Sequence, residues 1–285
     1  MNRSLPPAPA SHFVLSIGVV SIALISLAAG ALSSPVAAQP RREAKQGSSA
    51  GEKLPTAQWV LDRYAEVSGE RAHLLRHKSV TIHGRYQDPA AKLEATTVSY
   101  TKGGKSVQMF QLADGRHGGS GYDGHVGWNL SPSGKVTIQT GDIARTVARD
   151  ADMYYHTHVM QYFKSLEDVG IEDFSGQPCY HLKGINNWNQ PNEQFYDKET
   201  GLLLGYKFNT AWRGGSGAAD MIFEDYKPFG GILFSTKQIS HDGTQMNITF
   251  IDSVTWDDVP DSALELPEVV KAKIAEMSLA APNDR

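Results

Sequence analysis

Residues 79–86, SVTIHGRY, alternate: Val80, Ile82, Gly84 and Tyr86 fall on one side of an extended chain, and Thr81, His83 and Arg85 on the other. A repeat of two marks a strand with one face buried. The same period returns in Val107/Met109 against Gln108/Phe110, and in Leu202/Leu204/Tyr206/Phe208 against Leu203/Gly205/Lys207. It appears again in Met246/Ile248/Phe250 against Asn247/Thr249/Ile251. Turn residues separate the runs: Gly103-Gly104, Asp123-Gly124, Pro132-Ser133-Gly134, Ser175-Gly176, Glu199-Thr200-Gly201, Gly230-Gly231 and Asp242-Gly243. Roughly ten to twelve strands are expected, many joined as simple hairpins. The fold class is therefore mostly β (α+β), built on a meandering antiparallel sheet. A sheet of that width does not stay flat; it curls into an incomplete β-barrel.

On either side of the meander the period changes to helical. Thr56 caps a run in which Val60, Leu61, Tyr64 and Val67 recur on one face until Gly69, and Ala72, Leu74 and Leu75 suggest a second short helix. Inside the meander, residues 141–164 (GDIARTVARDADMYYHTHVMQYFK) read as a helix broken near Asp150–Met153, its second half rich in Tyr, Met, His and Phe. Helices placed this way cover the open side of the curled sheet. Residues 268–277 form a short C-terminal helix.

At the N-terminus, residues 1–38 read as a signal peptide. Arg3 is the only charged side chain, an apolar run extends from Phe13 to Leu32, and Val36-Ala37-Ala38 presents small residues for cleavage. The run is also long enough for an uncleaved N-terminal membrane anchor. Residues 39–53 lack large apolar side chains and read as a flexible leader. Residues 54–285 form a single domain, and the expected location is the periplasm. Without Arg3 the 27 basic side chains become 26 against 31 acidic, a net charge of −5. That balance gives no footprint for nucleic acid. Cys179 is the only cysteine, so no internal disulfide forms and no thiol stands at the cleavage point to carry a lipid.

The sequence offers no catalytic motif. His156 and His158 are two apart, which on a helix points them in different directions, and His73 and His77 have zinc-like spacing but no third ligand. Ser120 and Ser216 sit in glycine-rich stretches that fail the nucleophile-elbow pattern at Tyr122 and Ala218, and read as hairpin loops. The pairs Glu167-Asp168, Glu224-Asp225 and Asp257-Asp258 are adjacent, so on strands they face opposite ways. No metal and no cofactor is expected. What remains is an excess of apolar and aromatic side chains on a sheet wide enough to enclose a pocket. Trp128, Met153, Tyr155, Met160, Phe163, Tyr206 and Phe208 are the candidate ligand-binding residues; the plain alternative for each is ordinary core.

Several stretches together resemble one family, the outer-membrane lipoprotein-sorting-protein-like group. They are residues 56–86 from TAQWVLDRY to HGRY, residues 121–128 (GYDGHVGW), residues 149–154 (RDADMY), residues 195–202 (FYDKETGL), residues 224–239 (EDYKPFGGILFSTKQI) and residues 247–267. The group is similar to the periplasmic lipoprotein carrier of diderm bacteria, an incomplete β-barrel whose helices close its mouth around a hydrophobic cavity. The resemblance implies binding of an acyl chain, lipid or lipoprotein, and exchange with an acceptor protein of the inner or outer membrane. Two rivals stand beside it: a cofactor-free enzyme on the same fold, favoured if His125, His156 and His158 meet in the cavity, and an envelope scaffold, favoured by a filled core with an exposed apolar patch.

Overall fold

The computed structural model describes residues 53–209, 218–241 and 245–280. The signal peptide, nearly all of the leader and the Ser216 loop lie outside the described residues. Thirteen strands form one sheet: β1 (Ser79–Asp88), β2 (Leu93–Lys102), β3 (Lys105–Leu112), β4 (His117–Tyr122), β5 (Gly127–Leu130), β6 (Val136–Gln139), β7 (Phe163–Phe174), β8 (Gln177–Asn186), β9 (Pro191–Asp197), β10 (Leu203–Asn209), β11 (Ala218–Phe229), β12 (Ile232–His241) and β13 (Met246–Trp256). Their spatial order is β6-β5-β4-β3-β2-β1-β13-β12-β11-β10-β9-β8-β7, with every pairing antiparallel. β6 and β7 are the two edges, so the sheet is an incomplete barrel, as the alternation predicts.

Helix α1 (Ala57–Val67) begins where Thr56 Oγ1 accepts the Trp59 amide at 3.2 Å, and it buries Val60, Leu61 and Tyr64. Gly69, at φ +78°, turns the chain into α2 (Glu70–His73) and a 3-10 turn over Leu74–Arg76. Helix α3 (Gly141–Asp150) leaves the β6 edge, and 3-10 turns at Tyr155–Thr157 and Val159–Tyr162 carry the chain to β7. The interrupting segment is thus helical only to Asp150; Phe163, expected at its helical end, is the first residue of β7.

Register separates the two faces of the sheet. Ile82, Ser99, Gln108, Ser120 and Asn129 are consecutive partners across β1 to β5 and share one face. Thr81, Tyr100, Val107, Gly121 and Trp128 form the adjacent row and point the other way. The first face, called concave below, carries α1 and the crossing segment. Val60, Leu61, Tyr64 and Tyr155 there pack on Leu182, Tyr196, Leu203, Tyr206, Met221 and Phe223, while Leu74 and Met153 pack on Val80, Ile82, Ile232 and Ile251. On the convex face, α4 (Glu268–Ala280) and the 3-10 turn before it bring Val259, Leu264 and Val270 onto Val107, Trp128 and Leu130.

Two expectations are corrected. Leu202 and Leu204 do not share a face with Tyr206 and Phe208: a bulge between Leu203 and Gly205 makes Leu203 the inward residue and turns Leu204 toward the convex cluster of Phe174, Cys179 and Phe195. Ser120 lies within β4 rather than in a hairpin loop.

Cys179 is enclosed in that convex cluster, its thiol donating to the Gln177 carbonyl at 3.4 Å, and burial pushes its pKa up to about 12. A thiol that is both protonated and enclosed reacts slowly. Ellman's reagent at pH 8 should therefore label the native protein far more slowly than protein in denaturant; equal rates in the two would contradict the burial.

Candidate functional site

The crossing segment is held in place by its own polar side chains. Asp152 Oδ2 binds His158 Nε2 at 2.5 Å and accepts the Tyr162 hydroxyl at 2.8 Å, and the Tyr154 hydroxyl donates to the His77 carbonyl at 2.6 Å. Asn187 donates to the carbonyls of Tyr162 and Gln161, tying the segment to the β8–β9 turn. Arg63 on α1 donates to the Lys198 and Glu199 carbonyls of the β9–β10 turn. The sequence folds locally in this way because Asp152 and Asn187 offer side-chain acceptors and donors where the 3-10 turns leave backbone groups without helical partners.

Five of the seven candidate residues converge on the concave side. Tyr155, Phe163 and Tyr206 belong to one buried cluster with Phe208 packed against it, and Met153 belongs to the neighbouring one. Met160 is 37% exposed, on the second 3-10 turn. Trp128 does not join them. It is fully buried on the opposite face beneath α4, and a Cβ added at Gly121 would stand 2.9 Å from its ring. By contrast, a Cβ at the adjacent Gly127 would meet Val147 of α3, on the concave side. One step along a strand decides the face, and the aromatic character of Trp128 carries no information about which face that is.

Charge also enters this interior. The Arg149 guanidinium lies over the rings of Tyr155 and Trp188, at 5.2 and 5.7 Å, and its Nη2 donates to Asp150 Oδ1 at 2.9 Å. Burial is the largest single influence and opposes its charge, but the Asp150 carboxylate together with Tyr155 and Tyr206 holds its pKa above the ordinary value. Burial raises the phenols of Tyr64, Tyr155, Tyr196, Tyr206 and Tyr226, so all five stay neutral donors. Glu70 and His156 meet beneath α1, with Oε1 and Nδ1 3.0 Å apart.

The three histidines whose meeting would point to catalysis are apart. His156 binds Glu70, His158 binds Asp152, and His125 occupies the β4–β5 turn, where its amide is held by Asp123. Among the described residues no three His, Cys, Asp or Glu side chains gather as a set able to hold a metal ion. No described helix is long and apolar enough to cross a membrane.

Sequence reasoning missed two parts of the site. The first is Glu70, which directly after Gly69 looks like a solvated acid in the first turn of a helix. The second is a polar band that continues the concave face: Gln238 pairs with Thr249 and Ser240 with Asn247, all buried, beside Thr97, Ser99 and Gln108. The Tyr86 hydroxyl donates to Asn247 Oδ1 at 2.6 Å within it. Its signal was present as Ser, Thr, Gln and Asn repeating at every second position, on the same face as Val80 and Ile82. A cavity of about 350 Å³ at the far ends of β1–β3 is bordered by Arg85, Gln87, Glu94, Thr96 and Gln111 of the convex rows and by Tyr86, Ala95 and Leu112 of the rows between them.

No family model matches the chain, and no curated protein does. Solved structures do. A LolA superfamily protein from Nitrosomonas europaea aligns over 75% of this chain and 99% of its own, with a TM-score of 0.50 at 15% identity. A DUF1329 family protein from Desulfovibrio piger aligns over 73% of this chain and 96% of its own, with a TM-score of 0.50 at 14% identity. At such identities the likeness is one of fold. It bears out the half-barrel that the sequence resemblance implies.

Proposed function

We propose that this protein is an exported periplasmic carrier that holds the acyl chain of a lipid or lipoprotein against the concave face of its half-barrel. In this reading residues 1–38 are removed as a signal peptide, and the cargo passes to or from an acceptor in the inner or outer membrane. The observation that carries the reading is that the crossing segment, built from 3-10 turns, brings Tyr155 onto Phe163, Tyr206 and Phe208 in the cluster under α1, and Met153 onto the neighbouring cluster of the same face. An apolar interior closed by short turns, not by further strands, can admit a chain by moving the turns while the sheet stays intact. Each methylene transferred from water contributes about 0.8 kcal/mol, so a chain of ten offsets the cost of ordering it and of parting the segment.

Titration with N-phenyl-1-naphthylamine or a fluorescent fatty acid tests this, and a micromolar Kd is expected. Met160→Asp should weaken that binding about tenfold or more, roughly 1.4 kcal/mol. Its effect on stability should be within about 0.5 kcal/mol, because the side chain is half-exposed. A folded protein that binds no apolar probe and carries no lipid when isolated from its native envelope would overturn the reading.

A further inference from the structure

Beneath α1, two ionisable side chains are buried inside an otherwise aromatic cluster. Glu70 is 3% exposed and His156 6%. They share one contact, Oε1 to Nδ1 at 3.0 Å, and the Tyr64 hydroxyl reaches Glu70 Oε1 at 3.4 Å, too long to count for much. Their far atoms, Glu70 Oε2 and His156 Nε2, are fully buried and hydrogen-bond to nothing among the described residues. The rings of Tyr64 and Tyr155 each stand 5.2 Å from the His156 ring, and both tyrosines belong to the cluster that holds Phe163 and Tyr206. Arg149, also buried here, is engaged by Asp150. Buried polar atoms left unpaired are a standing cost, and proteins seldom keep two on one interacting pair without a partner to satisfy them.

We propose that Glu70 and His156 form the polar end of the acyl-chain site and bind the hydroxyl group of a neutral amphiphile, whose chain runs among Tyr155, Phe163 and Tyr206; this rests on the carrier reading above. The chemistry follows from the shared contact. The Glu70 carboxylate fixes the imidazole so that Nδ1 carries the proton it donates. Nε2 then accepts when the ring is neutral and donates when it is charged, while Oε2 accepts in both states. A hydroxyl both donates and accepts: with a charged ring it accepts from Nε2 and donates to Oε2, satisfying both, and with a neutral ring its one proton serves one of the two acceptors. A phosphate would bring an anion against the Glu70 carboxylate, and a quaternary ammonium has no proton to donate.

The test compares two ligands with the same chain. N-phenyl-1-naphthylamine bound to the purified protein is displaced with 1-dodecanol and with 1-methoxydodecane, which keeps the oxygen and loses the donor. Dodecanol should displace the probe at about tenfold lower concentration. Glu70→Gln and His156→Phe each remove one acceptor of the hydroxyl proton and should each lower the ratio, and with both replaced it should fall to about one. If the probe binds but the wild-type protein shows no preference for the alcohol, the inference is wrong and the pair binds water alone. A preference that survives undiminished when Glu70 and His156 are both replaced also overturns it. If His156→Phe does not fold, the wild-type ratio and Glu70→Gln decide. If no probe binds at all, the carrier reading itself falls, and this inference with it.

Discussion

Gly69→Ala is expected to remove a large part of the protein's stability. Gly69 joins α1 to α2 at φ +78°, a conformation that costs an alanine about 1–2 kcal/mol. The space around it is closed as well. A Cβ there would stand 2.1 Å from the carbonyl oxygen of Gly231, a backbone atom that no rotamer change can move. The Leu233 amide donates to the Ser68 carbonyl at 2.7 Å, so the α1–α2 corner and the β11–β12 hairpin are fastened at this point and cannot separate without losing that bond. Strain, collision and the lost hydrogen bond together should exceed about 4 kcal/mol, against a total stability of about 5–15 kcal/mol for a typical domain. Circular dichroism and thermal melting would register the loss; a Tm within a few degrees of wild type would show that the contact yields.

Leu203→Asp should have an effect of similar size for a different reason. Leu203 is 2% exposed and lies in the concave cluster with Tyr196, Tyr206 and Met221, and its carbonyl accepts the Tyr226 hydroxyl at 2.6 Å. Truncation to alanine alone would cost about 2–5 kcal/mol, and a carboxylate adds the cost of burying a charge without a partner. Leu204→Asp is the control. Leu204 is only half-buried, on the convex side, so the same charge one residue along should be tolerated far better. Urea denaturation of the two variants measures the difference, and equal destabilisation would mean that the bulge is misplaced.

That pair of leucines also shows where the sequence could be read and where it could not. β1 was legible as a strand, because Val80 and Ile82 keep strict alternation and its irregularity falls only between His83 and Gly84. β10 was legible as a strand too, but its faces were not, because a bulge inserts a residue without any local signal and inverts the faces N-terminal to it. The end of α3 was legible at Asp150. The fate of Tyr155, Met160 and Phe163 was not, since 3-10 turns have no period long enough to show in composition. Trp128 illustrates a further limit. Its strand could be recognised, but which face α4 would cover depends on contacts more than a hundred residues away. Glu70 and the polar band on β12 and β13 were hidden by the expectation that inward-facing positions are apolar. Structure alone reveals that burial.

The strand order has a consequence for how the chain finds this shape. Every pairing in the sheet joins strands that follow one another in sequence, except the one that brings β1 against β13. The ladder from β1 to β6 and the ladder from β7 to β13 can each zip up hairpin by hairpin, at small entropic cost for each loop closed. Their junction must instead bring together residues as far apart as Val80 and Trp256, and it sits in the centre of the sheet rather than at an edge. Contacts of such long range dominate folding times. The two ladders therefore constitute natural early units, and the β1–β13 seam is the late, rate-setting event. Until it forms, each ladder exposes a full strand of unpaired backbone, an invitation to pair with another copy of the chain. That window of exposure is where assembly is most vulnerable.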